Sequence, residues 1–302
     1  MEALLEAAIR LSLPLLVAAL GELIVERAGL INIGTEGMML CGAFAGYAVA
    51  VSTGSPVAGV MGAVVVGLAV GSLFAFFAVV RRVDQIVVGT AINLLALGAT
   101  GLAARSLYHG SAPSAPGFAP VAVPFLSELP FVGAVLFRHT PYVYSAGLLA
   151  LTIGIWFAHT RGGLRLRAVG ESARSADSQG VRVNAFRIGA VLAGSALAAV
   201  AGSILTLAQS HVFTEGMTAG RGFIALTIVI FGRWSASGVT LAALFFGAAV
   251  ALQHRVQARG VDIPYQVTLM LPYVLTLMVL AFGSRGSGGP SDLGRAYRRE
   301  AR

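Results

Sequence analysis

The chain has 302 residues, of which 11% are charged and 57% hydrophobic, whereas a soluble domain carries about 25% charged residues. That composition excludes an ordinary soluble enzyme and predicts one polytopic, all-α membrane domain in place of two soluble ones. The net charge of +8 does not point to nucleic acid, because the cationic residues, all arginine, sit at the ends of apolar segments and form no basic patch interleaved with aromatics.

Residues 3–25 predict a first span, interrupted by Glu6, Arg10 and Glu22 and kinked at Pro14. The start MEALLEAAIR lacks the basic region of a signal peptide, so this stretch is expected to remain in the mature chain. Next, ERAGLINIGTEGMML places glycines, Asn32 and Glu36 immediately before a second apolar run ending at Val51. Irregular polar backbone at a span edge is tolerated only where protein or a watery cavity surrounds it. A broken helix lining a pathway is therefore expected there, with a simple turn between spans as the other reading.

Residues 55–80 predict a third span, closed on the inside by Arg81 and Arg82. The pairs Gly42/Gly46 and Gly67/Gly71 permit close helix approach. The fourth span, 86–107, holds Thr90 and Asn93, and an amide at that depth faces the bundle interior. The loop 108–140 is rich in Pro, Gly and Ser; its charges, Glu128 and Arg138, cancel, which places it outside. Its segment FVGAVLF is too short to cross. Residues 141–158 form the fifth span.

The polar interval 161–187 carries Arg161, Arg165, Arg167, Arg174, Arg182 and Arg187 against Glu171 and Asp177. Such an excess beside membrane spans marks the cytoplasmic side. Its middle, ESARSADSQG, has helix formers and caps but no wide apolar face, which predicts a short surface helix docked on a partner; an ordinary positive-inside loop is the alternative. Beyond it, 188–208 is the sixth span. Gly222 to Phe231 is apolar but only about half the length needed to cross, hence a half-helix, with Arg233 and Trp234 marking the inner interface. Residues 238–252 and 266–282 are the last spans, and 285–302 reads as a flexible basic cytoplasmic tail able to touch anionic lipid.

This gives a single transmembrane domain over 1–284, with about 8–10 spans or part-spans, the N-terminus extracytoplasmic and the C-terminus cytoplasmic. Thr35-Glu36-Gly37-Met38 recurs as Thr214-Glu215-Gly216-Met217, each before a short apolar segment, and the topology puts the two on opposite sides. An inverted repeat would produce that placement.

There is no phosphate loop, no HExxH and no GxSxG elbow, and the five histidines lack metal-ligand spacing. A catalytic role, a metal and a resident cofactor are accordingly not expected; the chain moves something across the membrane without an ATP site of its own. A broken-helix secondary transporter coupled to an ion is the alternative, although its coupling acids should lie inside the spans.

The blocks ERAGLINIGTEGMML, DQIVVGTAINLLALG, RGGLRLRAVGESARSADSQGV and RGFIALTIVIFGRW resemble the importer permeases of the branched-chain amino acid and simple-sugar superfamily driven by ATP-binding cassettes, most of all their nucleoside branch. The resemblance implies a partner ATPase subunit that binds the ATP, a second homologous permease in a heterodimer, an extracytoplasmic solute-binding protein and a cell-membrane location. For such a solute the path is expected between the second and fourth spans and the half-helix, lined by Asn32, Glu36, Thr90, Asn93 and Phe223, since an uncharged nucleoside needs a few amide and hydroxyl groups and an aromatic surface in place of a charged clamp. It also implies ATPase coupling through Glu171, Arg174, Gln179 and Gly180. Two departures stand out: Asp84-Gln85 replaces the branch's usual Asn-Glu, and Arg174 stands where the coupling pattern has an acid.

Overall fold

The computed structural model describes residues 2–109, 113–122, 132–258 and 288–298, with the single residues 124, 127, 270, 274, 277, 278 and 281 between them. The predicted span 266–282, Arg259, Glu128 and both ends of the expected tail region fall largely or wholly outside those residues.

Helices α1 (Glu2–Arg27), α2 (Thr35–Thr53), α3 (Pro56–Ala75), α4 (Gln85–Tyr108), α5 (Val132–Leu136), α6 (Pro141–His159), α7 (Arg161–Glu171), α8 (Ala173–Ser178), α9 (Val183–Ile204), α10 (Arg221–Phe231) and α11 (Ala236–Ala258) build the described chain. The only strands among the described residues are two two-residue pieces, β1 (Val121–Ala122) and β2 (Arg138–His139), paired antiparallel across the 108–140 loop. Among the described residues, six helices are long and apolar enough to cross a membrane: α1, α4, α6, α11, and α3 and α9 with the π-helical turns that extend them. Helix α10, with 11 residues, spans roughly 16 Å at 1.5 Å per residue and is a half-helix, as its length in the sequence predicts.

The boundaries follow local chemistry. Ser55 caps α3 with its hydroxyl, ahead of Pro56 in the first turn. Asp84 caps α4, its Oδ1 accepting the amides of Ile86 at 2.8 Å and Val87 at 3.2 Å. The first departure from the nucleoside-branch pattern thus sits on a helix cap. Helix α1 continues through Pro14.

The interior is organised on α1, α2 and α9. Tyr47, Met38 and Met39 on α2 are fully buried, as are Leu20 and Leu23 on α1 and Val191 on α9. Lipid offers no hydrophobic reward for bringing helices together, so close backbone approach and dispersion must do it. Gly42 of α2 lies on the backbone of Ala199, and Gly67 and Gly71 of α3 lie on Ser195, leaving no room for a Cβ at any of the three. The glycine pairs noted in the sequence are the contact surfaces. The outer helices present their large apolar side chains outward: Leu94, Leu95 and Leu102 of α4, Leu148 and Leu151 of α6 and Leu241 of α11 are all exposed.

Hydrogen bonds define two ends. At one end the α1–α2 turn, the start of α4, α7–α8, the start of α9, the α10–α11 turn and residues 288–298 come together. At the other, Tyr47 donates to the Pro113 carbonyl at 2.6 Å and the Ala115 amide to the His211 carbonyl at 2.7 Å.

Candidate functional site

The α1–α2 reversal is the polar centre of the bundle. After Arg27 the chain turns back, so that α2 starts level with Glu22, five residues or roughly 7.5 Å up α1. The Glu22 carboxylate, 1% exposed, accepts the Asn32 amide at 3.0 Å and the Thr35 hydroxyl at 2.8 Å. The returning segment is held from the far side by α4: Gln85 Oε1 accepts the Ile31 amide at 2.7 Å, and Asn93 donates from Nδ2 to the Ile33 carbonyl at 3.0 Å while its Oδ1 accepts the Gly37 amide at 2.7 Å. Gly89 lets α4 press against Gly34 in this segment. The bonds to Ile31, Asn32, Ile33 and Gly37 satisfy backbone groups of the reversal and of the first turn of α2, each of which would otherwise cost of order 2–7 kcal/mol in an apolar medium.

Glu36, in the first turn of α2, reaches a second broken element. Its Oε1 accepts the Gly220 amide at 2.8 Å and its Oε2 the Gly222 amide at 2.7 Å, so one carboxylate caps the N-terminus of half-helix α10. An anion at a helix N-terminus meets both free N–H groups and the positive end of the helix dipole. Asn32 lies in the same pocket of polar groups, 1% exposed, with Nδ2 on the Met38 sulfur at 3.2 Å and Oδ1 buried without a hydrogen-bond partner.

The structure thus sets Asn32, Glu36 and Asn93 along one chain reversal, Asn32 and Glu36 on the segment itself and Asn93 bonded to it at Ile33 and Gly37. It does not bring Thr90 to them: that side chain is exposed on α4 and bonds its own helix at the Ile86 carbonyl, 2.8 Å away. Phe223 is next to Gly222 but 47% exposed. Sequence reasoning missed Glu22 as a ligand of the turn, taking it only as an interruption, and missed Gln85. The signal was available, since an ionisable residue inside a span is functional by default. Trp234 lies at the arginine-rich end, where its indole is buried and its Nε1 donates to the Glu26 carboxylate, while its carbonyl accepts the Arg27 Nε at 2.8 Å.

The arginine-rich interval forms α7 and α8, each opened by a hydroxyl cap, Thr160 for α7 and Ser172 for α8. ESARSADSQG has no wide apolar face, as expected, but it buries a narrow one: Ala173 and Ala176 are 3% and 4% exposed and join Val169 and Val183 in a small apolar cluster. Two alanines three apart suffice for a six-residue helix. Glu171 faces residues 288–298, its Oε2 accepting the Ser291 hydroxyl at 3.1 Å. Arg174 and Gln179 are exposed, and Gly180 turns the chain out of α8 at φ +79° with open space around it.

The two Thr-Glu-Gly-Met copies have different partners. Gly37 in the first meets Asn93, and Glu215 in the second pairs with Arg105 through contacts of 2.7 and 2.6 Å. Asn93 and Arg105 lie twelve residues apart on α4, roughly 18 Å of helix. The Arg105 hydrogen bonds hold the Glu215 carboxyl below the usual carboxylate range.

Among the described residues no group of three or more His, Cys, Asp or Glu is placed to hold a metal ion. A membrane-spanning bundle with two broken elements joined through one carboxylate, and a helical pair on its arginine-rich end, is the architecture of a multi-pass solute permease. The chain belongs to the family described as branched-chain amino acid transport system / permease component, whose profile matches residues 4–280. It is 37% identical to the putative glucose ABC transporter permease protein of Haloferax volcanii over 98% of both chains. It is 35% identical to the nucleoside ABC transporter permease protein NupC of Lactococcus lactis (89% of this chain, 88% of the relative). The guanosine ABC transporter permease protein NupQ of Bacillus subtilis is 34% identical over 88% of this chain and 87% of its own. No solved structure matches. The chain is accordingly a non-catalytic, multi-pass membrane component of an ATP-binding-cassette transport system, and the ion-coupled alternative finds no support in this family.

Proposed function

We propose that this chain is the permease subunit of an importer that carries nucleosides, or a related simple sugar, into the cytoplasm, with a separate ATPase supplying the energy and an extracytoplasmic protein delivering the solute. The observation that carries the solute class is the near full-length similarity to two permeases named for nucleosides and one named for glucose. These solutes share an uncharged ring bearing hydroxyl groups. The polar cluster suits them: the carboxylates of Glu22 and Glu36 are occupied by backbone amides and a hydroxyl, leaving the buried Asn32 Oδ1 as an unfilled acceptor and no charged clamp. The path runs between α2, α4 and α10, with Asn32, Glu36 and Asn93 on it and Phe223 and Thr90 toward its edges. Permeation requires weak binding, because a tightly held solute would not leave.

The ATPase docks on α7–α8, with Glu171, Arg174, Gln179 and Gly180 at the contact, and a second homologous permease completes the membrane unit. The arginine-rich end faces the cytoplasm. Competition decides the solute: labelled guanosine uptake by the reconstituted complex should be displaced by excess unlabelled nucleosides and not by glucose. Uptake of labelled glucose with no uptake of labelled guanosine would assign the sugar.

A further inference from the structure

The segment 288–298, expected to be a free tail, is built into the arginine-rich end. Its backbone closes a three-way junction: the Asp292 amide donates to the Gly170 carbonyl at 2.9 Å at the end of α7, and the Gly294 amide to the Gly29 carbonyl at 3.0 Å in the α1–α2 turn. Gly29 and Gly170 lie backbone to backbone, and a Cβ on Gly170 would strike the Arg27 carbonyl. Side chains fasten the same junction. Asp292 Oδ2 accepts the first amide of α8, at Ala173, at 2.8 Å. Arg187, 2% exposed, donates from Nε to the Ala28 carbonyl at 3.3 Å and from Nη1 to the Arg295 carbonyl at 2.9 Å. Gly289 packs on the Trp234 ring and Tyr297 on the Val169–Ala173–Ala176–Val183 cluster.

Tyr297 also closes one side of a cavity of about 290 Å³ beside Gly180, whose other walls include Asp177, Arg182 and Asn184. From the junction, two residues of chain lead from Gly29 to Ile31, which Gln85 of α4 holds, and then to the segment held by Glu22 and Asn93.

Resting on the reading of α7–α8 as the ATPase-docking element, we infer that residues 288–298 form the third wall of that docking surface and strap it to the α1–α2 turn, so that ATPase movement reaches the solute path. Without the strap, α7 meets the α1–α2 turn only through the packing of Gly170 on Arg27 and Gly29, which can push the turn but not pull it. The strap adds hydrogen bonds from the Asp292 amide to Gly170 and from the Gly294 amide to Gly29, so movement in either direction is passed on. The ATPase fits this surface by placing a side chain in the cavity between Gly180 and Tyr297.

The test uses the assembled complex, with Ser178→Cys on the exposed face of α8 as a cross-linking probe. The intact chain should capture the ATPase subunit. Gly294→Val, which places a β-branched residue at φ +76° against Ile31, and truncation after Gly288 should lower solute uptake per ATP hydrolysed by about 10-fold, within the usual range of coupling free energies. Asp292→Asn, which keeps the backbone bonds, should fall between them and the intact chain, and it decides the matter if the other two fail to assemble. Capture retained with uptake per ATP within about twofold of the intact chain overturns the strap and leaves the docking assignment standing. No capture by the intact chain overturns the docking assignment itself.

Discussion

Asn93 holds both sides of a broken segment with one amide, which makes its replacement informative. Asn93→Leu leaves the Gly37 amide and the Ile33 carbonyl without partners, at a cost of about 1–3 kcal/mol for each group. The purified complex should lose thermal stability and take up less solute; unchanged melting and unchanged uptake would remove Asn93 from the path. Glu36→Gln is the companion case. A glutamine can accept one of the two amides at Gly220 and Gly222 but turns a donor toward the other. The expected loss is about 2 kcal/mol of stability, read as a lower melting midpoint, with Glu36→Asp giving partial rescue. A variant that melts like the parent would mean that this carboxylate does not hold α10. At this scale the sequence showed which residues are polar inside an apolar chain, and three of the five proposed path residues serve the α1–α2 reversal or the half-helix beside it. It did not show which backbone groups they serve, because that depends on a chain reversal with no hydrophobic period of its own. Thr90 illustrates the limit: its hydroxyl satisfies itself on its own helix, an option that residue type does not distinguish from an interhelical contact.

Length and hydropathy located the helical elements well, since a span needs about 20 apolar residues and a half-helix is conspicuous by being shorter. Elements made of polar residues were harder. The short helix α8 was legible from its caps, yet its buried alanines were not, because alanine carries little hydropathy signal and reads the same on a surface. The seated segment 288–298 was read as linker because Gly, Ser and Pro compose both linkers and tight backbone junctions. Gly180 carries the prediction at this scale. At φ +79° with no atom within 4 Å of an added Cβ, Gly180→Val strains the backbone by about 1–2 kcal/mol and narrows the cavity beside it without striking any other part of this chain. Membrane insertion and complex yield should stay normal while ATP hydrolysis is uncoupled from uptake. Survival of both uptake and solute-stimulated hydrolysis would show that the α8–α9 turn is not the coupling element.

Across the whole molecule, one end gathers the α1–α2 turn, α7–α8, the α10–α11 turn and residues 288–298, and from its arginine excess we propose that this end faces the cytoplasm. A tag at Met1 should then be reached by an impermeant label in intact cells, and a tag at Arg302 should not. Finding both tags cytoplasmic would contradict the proposed topology and, with it, the placement of the two Thr-Glu-Gly-Met copies on opposite sides. Composition made the membrane class legible at once, and the glycine-rich blocks made the family legible. The joining of the two ends of the chain was not, since contacts between Gly29, Gly170 and Gly294 leave no trace in any local pattern. The central claim is that this permease moves a nucleoside only when a separate ATPase acts on its arginine-rich end. Its most direct test is nucleoside uptake into proteoliposomes holding the permease complex, with and without the ATPase subunit, at fixed ion gradients. Uptake that requires both ATPase and ATP, and is indifferent to collapsing the gradients, is the expected result; uptake that follows an ion gradient without the ATPase would contradict the account.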